Sequence, residues 1–180
     1  MYTIRDATNA FSNLDGTLPE EGTALDKALR NLSQRVYMPP AGRKGRADTF
    51  TIETICALRL LHKANVFGVD RWQQETLARF LQIAEAIDGG RRIRVDGGFR
   101  PLSPIEEAVE RVREGESFSI GVRMLSDGTV KPFVGWREAE DEGTEFLADA
   151  GYHRLPEDAR FTLPASRLIA DLIAELEGVS

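Results

Sequence analysis

Cysteine and histidine are almost absent: the 180 residues hold one thiol, Cys56, and two imidazoles, His62 and His153. A lone thiol excludes an internal disulfide framework and a cysteine-rich zinc finger. Cys56 and His62 do not share a helical face, so both, with His153, are expected as core or solvated side chains and no metal is expected. A long apolar run is also missing, which excludes a transmembrane helix. No apolar stretch follows Met1-Tyr2-Thr3-Ile4-Arg5-Asp6, so the start does not read as a signal peptide, and the cytoplasm is the expected compartment. There is no Ser-His-Asp pattern and no nucleophile elbow. The pairs Gly89-Gly90 and Gly97-Gly98 lack the lysine of a phosphate loop. Glu140-Asp141-Glu142 reads as a solvated acidic loop. No enzyme, no cofactor and no internal repeat are expected.

What the sequence does have is a lopsided charge. Overall it is −6, but residues 1–100 carry fifteen Lys and Arg against twelve Asp and Glu, and residues 101–180 carry eight against seventeen. Between 27 and 63 there are eight basic residues, Lys27, Arg30, Arg35, Arg43, Lys44, Arg46, Arg59 and Lys63, against Asp48 and Glu53. A basic module on an acidic body suits contact with the DNA backbone in a defined orientation.

Periodicity gives a mainly α chain with a small β component, an α+β class. Ile4, Ala7 and Phe11 fall at helical spacing in a helix over 3–12. The stretch from Asn13 to Gly22 is turn chemistry. Thr23 is expected to cap a second helix running to Val36, with Leu25, Ala28, Leu29, Leu32 and Val36 on its apolar face. Its other face carries Lys27, Arg30, Asn31, Gln34 and Arg35. Pro39-Pro40 stops it. The glycine-containing basic loop 41–48 follows, then Thr49-Phe50 as a short strand, and Thr51 caps a central helix over 52–66. Asp70 with Gln73 marks the start of a fourth helix over 71–87, closed by Gly89-Gly90. Residues 88–101 read as a hinge containing a short strand over 92–95. Ser103-Pro104-Ile105-Glu106 starts another helix. Phe118 to Met124 alternates as a strand, Asp127-Gly128 is a hairpin turn, and Val130 to Trp136 is the return strand. Pro132 places that return strand at an edge. Residues 138–145 read as solvated, 146–160 carry no clear signal, and a last helix spans 164–176. Trp72 and Trp136 are expected as packing anchors.

The order of features over residues 2–67 resembles the winged helix–turn–helix of the MerR family and its excisionase-like relatives. The residues that carry it are Tyr2-Thr3-Ile4 with Ala7, Thr23 with Leu25 and Ala28-Leu29-Arg30, and Gly45-Arg46 with Phe50-Thr51-Ile52-Glu53, Ile55 and Leu58. The resemblance implies that the second helix enters the major groove of double-stranded DNA and that the 42–48 loop is a wing touching phosphate or the minor groove.

The residue types agree independently. Thr23, Lys27, Arg30, Asn31, Gln34 and Arg35 on the helix, and Arg43, Lys44 and Arg46 on the loop, are of the kinds that read base edges and grip phosphates. The bland alternative is an amphipathic helix with a solvated basic face. The expected organisation is a DNA-binding unit over 1–67, a connecting helix over 68–89 and an α+β region over 90–180 that dimerises, meets a protein partner or senses a ligand. The expected function is a sequence-specific transcriptional regulator, acting as a homodimer. Two alternatives stay open: a phage or mobile-element adaptor whose basic face binds a protein, and a ligand-sensing regulator with a pocket between the 118–136 hairpin and the last helix.

Overall fold

The computed structural model describes residues 1–84, 91–136 and 155–178. The chain begins with a two-residue strand, β1 (Tyr2–Thr3), that leads straight into α1 (Ile4–Asp15). Thr3 closes a capping box with Asp6, in which each side chain takes a backbone N–H of the other residue. This box sets the first helix start, and α1 runs on through Asp15 to Gly16, past the expected end at residue 12. The connection that follows is therefore short. It contains one 3-10 turn, Pro19–Glu21, before α2 (Gly22–Arg35). Thr23 lies inside α2 and does not cap it, because the helix begins one residue earlier with no side-chain cap at Glu21.

After α2 the chain forms the hairpin β2 (Gly42–Lys44) and β3 (Ala47–Phe50). The stretch expected as a loop is thus a paired ribbon, with β1 on the other side of β3 in the order β1-β3-β2. Thr51 caps α3 (Ile52–Val66), and both bounds match the sequence reading. Asp70 caps α4 (Arg71–Gln82), which stops short of the expected residue 87; Ile87 and Gly89-Gly90 lie outside the described residues.

The expected hinge is a second hairpin. β4 (Arg92–Val95) pairs antiparallel with β5 (Gly98–Pro101). Ser103 closes a capping box with Glu106 at the start of α5 (Pro104–Arg113). A three-stranded sheet follows, of β6 (Ile120–Leu125), β7 (Val130–Val134) and β8 (Glu157–Leu163), ordered β7-β6-β8. Pro132 does lie on an edge strand. β8 has no counterpart in the sequence reading. The last helix, α6 (Ala165–Glu177), follows it. The acidic stretch 138–145 and His153 lie outside the described residues.

One contiguous core joins these parts. α1 contributes Phe11, α2 Leu29 and Leu32, α3 Ile55, Leu58 and Leu61, α4 Leu77 and Leu81, and the C-terminal sheet and helix Ile120, Leu163, Ile169 and Leu172. Full burial of each such side chain contributes about 2 kcal/mol. α3 is buried over most of its girth, as its composition requires, and packs against α2, α4, α5 and α6. α6 folds back onto α1, where Asn13 Nδ2 donates to Glu175 Oε1 at 2.7 Å. Three expected core positions are not core, one of them Ala84, which is exposed past the end of α4. Ala28 is exposed on α2, which narrows the apolar face to Leu25, Leu29, Leu32 and Val36. Trp72 is 57% exposed at the start of α4. Trp136, in contrast, packs edge-on against Phe118 at 4.6 Å, with Arg111 over its ring at 5.0 Å.

Candidate nucleic-acid interface

α1, α2 and the β2–β3 hairpin enclose an open cleft of about 1400 Å³. Five of the nine residues singled out from the sequence line it: Thr23, Arg30 and Gln34 from α2, and Lys44 and Arg46 from the hairpin. On α2 the positions Thr23, Lys27, Arg30 and Gln34 recur at helical spacing and make one exposed stripe opposite the buried Leu29. Asn31 is exposed beside that stripe.

The hairpin tip is set by its turn. Arg43 pairs with Asp48 and Lys44 with Ala47, which leaves Gly45-Arg46 as a two-residue loop. Gly45 has φ +63°, and a positive φ at the first loop position is what a tight hairpin matched to strand twist needs. Lys44 and Arg46 are consequently held at the end of a short ribbon instead of on a slack loop. Thr3 and Phe50 at the foot of that ribbon also line the cleft, so β1 braces the hairpin against α1.

The electrostatics differ from the sequence count. Of the eight basic residues between 27 and 63, five are already engaged. Arg30 makes a two-pronged pair with Asp26, at 2.6 and 3.1 Å. Arg43 meets Asp48 across the hairpin at 3.0 Å. Arg35 is half-buried and donates to Gln74 of α4, so the structure places it at a helix seam away from the cleft. Arg59 clasps Asp15 through both Nη atoms at 2.6 Å, and Lys63 joins the same carboxylate at 2.7 Å. Burial pushes the Asp15 carboxyl up, but the hydrogen bonds and charges of Arg59 and Lys63 together hold it below the usual range. Lys27, Lys44 and Arg46 remain without a carboxylate partner among the described residues, and all three are exposed.

Three further residues of the cleft were not legible as site residues. Arg5 and Asn9 project from α1 into it. Arg5 is exposed and has no ion pair among the described residues. Tyr37 also lines it, 78% exposed, with φ +46°. A left-handed residue just past a helix end is normally glycine, and a tyrosine there costs about 1 kcal/mol. No periodic signal marks such a position. The acidic groups of the cleft are occupied: Asp6 by Thr3, Asp26 by Arg30 and Asp48 by Arg43. The backbone N–H of Thr3 holds the Asp6 carboxyl below its usual range despite its partial burial, with Lys44 adding to the effect.

No cluster of three or more metal-ligating side chains occurs among the described residues. Cys56 is fully buried, and burial pushes its thiol far up, so it is a small apolar side chain here. His62 stacks on Phe11 at 6.0 Å, and burial, then the charge of Arg59, lowers its pKa. No described helix is long and apolar enough to cross a membrane. Comparison with protein-family models, with curated proteins and with solved structures finds no match for this chain.

Proposed function

We propose that the protein binds double-stranded DNA and regulates transcription, with α2 in the major groove and the β2–β3 hairpin on the adjacent backbone. One observation carries this reading: Thr23, Arg30 and Gln34 of the polar stripe of α2 and the cationic hairpin tip line the same cleft, and the cations there include Arg5, Lys44 and Arg46 with no carboxylate partner among the described residues. Thr23, Gln34 and Asn31 are the hydrogen-bonding side chains available for base edges. Lys44 and Arg46 are placed for phosphates, and Lys27 lies along the same helix stripe. Arg30 is held by Asp26 in the free protein, so its use on DNA requires an exchange of one carboxylate for another anion. A homodimer belongs to this reading, since two copies would set two α2 helices on half-sites about one DNA turn apart.

A salt titration on random genomic duplexes, with sequencing of the retained fragments, tests the proposal. Wild type is compared with a Lys44→Ala, Arg46→Ala double variant and with Gln34→Ala. The double variant should lower the slope of log affinity against log salt by about 2, because each phosphate contact contributes about 0.9. Gln34→Ala should change which sequences are enriched and leave the slope alone. No retention of duplex at low salt would sink the proposal and turn attention to a protein partner for the basic face.

A further inference from the structure

The order of elements that forms the cleft occurs twice. In the first pass α1 and α2 are followed by a basic hairpin, and one residue after β3 the helix α3 begins, capped by Thr51. In the second pass α3 and α4 are followed by the β4–β5 hairpin, and α5 begins almost at once, capped by Ser103. α3 thus serves both passes, closing the first and opening the second. The repeat was not visible as residue identity, because the two hairpins share little beyond arginine and glycine.

The second pass has the tighter helix–turn–helix. α3 and α4 are joined by Phe67-Gly68-Val69-Asp70 only, with Gly68 at φ +81° and Val69 N–H donating to Ala64 O at 3.0 Å. A turn of three to four residues containing glycine is the usual joint of a DNA-reading helix pair. The second helix then turns Leu77, Ala78 and Leu81 inward. Trp72, Thr76 and Arg79 lie on its opposite side, and Trp72 and Arg79 are exposed.

The second hairpin is also built for an anion. Arg94 stands opposite Phe99 in the register, and Arg92 is two residues from Arg94, so the three side chains share one face of the ribbon. Arg92 and Arg94 are exposed with no carboxylate partner among the described residues, and Phe99 is 70% exposed. Arg91 and Arg100 differ: they bind Glu114 and Glu106 and anchor the ribbon to α5. A free two-stranded ribbon is marginal in water. Anchored at its base and carrying cations with an aromatic ring on one face, it matches a phosphate backbone and groove.

We propose that α4 and the β4–β5 hairpin form a second winged helix–turn–helix that contacts double-stranded DNA independently of the α2 cleft. The contacting groups are Trp72, Thr76 and Arg79 on α4, and Arg92, Arg94 and Phe99 on the hairpin.

The test uses the full chain and a labelled 40-base-pair duplex of random sequence, with binding followed by fluorescence anisotropy across a salt series. Three double variants are compared with wild type: Arg92→Ala with Arg94→Ala, Lys44→Ala with Arg46→Ala, and, as a charge control, Lys131→Ala with Arg167→Ala. All six positions are exposed, and circular dichroism checks that each variant folds. The proposal expects the Arg92/Arg94 variant to lower the salt slope by about 2 and to weaken binding roughly tenfold or more near 100 mM salt, with the control unchanged. The same loss in the control would reduce the effect to bulk charge and overturn the proposal. An Arg92/Arg94 variant with wild-type slope overturns it too, and overturns it in favour of a protein interface if sedimentation shows altered self-association. Loss only in the Lys44/Arg46 variant leaves the α2 reading standing and removes this one. Loss only in the Arg92/Arg94 variant keeps this one and removes the α2 reading. Absence of wild-type binding at low salt removes both.

Discussion

Tyr37 and Asp15 show how single residues divide between the site and the scaffold. Tyr37 holds φ +46° with its ring exposed in the cleft, a conformation glycine would adopt without strain. Tyr37→Gly should therefore raise stability by about 1 kcal/mol in denaturant unfolding while weakening duplex binding. A variant that is more stable yet fully competent to bind would show that the ring is merely tolerated there. Asp15 does the opposite work. Among the described residues it is the one carboxylate bonded to Arg59, whose side chain is 4% exposed. Asp15→Asn should cost about 3 kcal/mol at neutral pH, because it leaves a buried guanidinium without a counter-ion. Since the folded carboxyl titrates below its ordinary value of about 3.9, its contribution is present above that pH. It is lost as pH falls further, through the folded value. The acid limb of the wild-type stability curve should be shallower in Asp15→Asn.

At the level of elements, the arrangement depends on close backbone approach as much as on apolar area. In the C-terminal sheet β6 is central, and a Cβ on Gly121 would sit 2.0 Å from the backbone oxygen of Phe161 in β8 and 3.0 Å from the Phe133 ring in β7. The Phe161 backbone cannot yield without breaking the ladder between β6 and β8. Gly121→Ala should destabilise by at least about 3 kcal/mol, at the upper end of overpacking costs, and chemical denaturation would measure it. Helix bounds follow from local chemistry in the same way. Thr3, Thr51, Asp70 and Ser103 each accept from the backbone N–H three residues on, and four of the six described helices start there. Three of those starts were readable from Thr51, Asp70 and Ser103. Thr3 and the start of α2 differ from the sequence reading, because α2 has no capping side chain and periodicity alone includes Thr3 in the helix. β8 was missed for a different reason: Glu157-Asp158-Ala159-Arg160 is exposed and polar, and its strand form comes from pairing with β6.

For the molecule as a whole, the basic N-terminal unit and the acidic remainder are one packed body. α6 lies against α1, α3 and α5, with Ile169 and Leu172 fully buried. Ile169→Ala should cost about 3 kcal/mol, and the loss should appear equally in helix content and in duplex binding as temperature rises. Two separate transitions, with binding retained after the C-terminal sheet has melted, would show instead that the N-terminal unit stands alone. The acidic half is thus tied to the cleft by packing.

The sequence by itself determined where helices form, the starts of α3, α4 and α5 and the identity of the polar stripe on α2, since periodicity and capping are local properties. It also located the basic 41–48 segment, but as a loop; the pairing that puts Gly45-Arg46 at a hairpin tip came with the structure. Only the tertiary structure decided which cations are free. Arg30, Arg35, Arg43, Arg59 and Lys63 look equivalent to Lys27, Lys44 and Arg46 in one dimension. Each of those five is nevertheless taken up, by Asp26, Gln74, Asp48 or Asp15. Asp15 and Gln74 in particular reach their arginines from far along the chain. The same holds for the second hairpin, where pairing of Arg94 with Phe99 sets which side chains share a face. Charge composition is additive along a chain, but ion pairing and strand register depend on distance in space, and that is fixed only when the core closes.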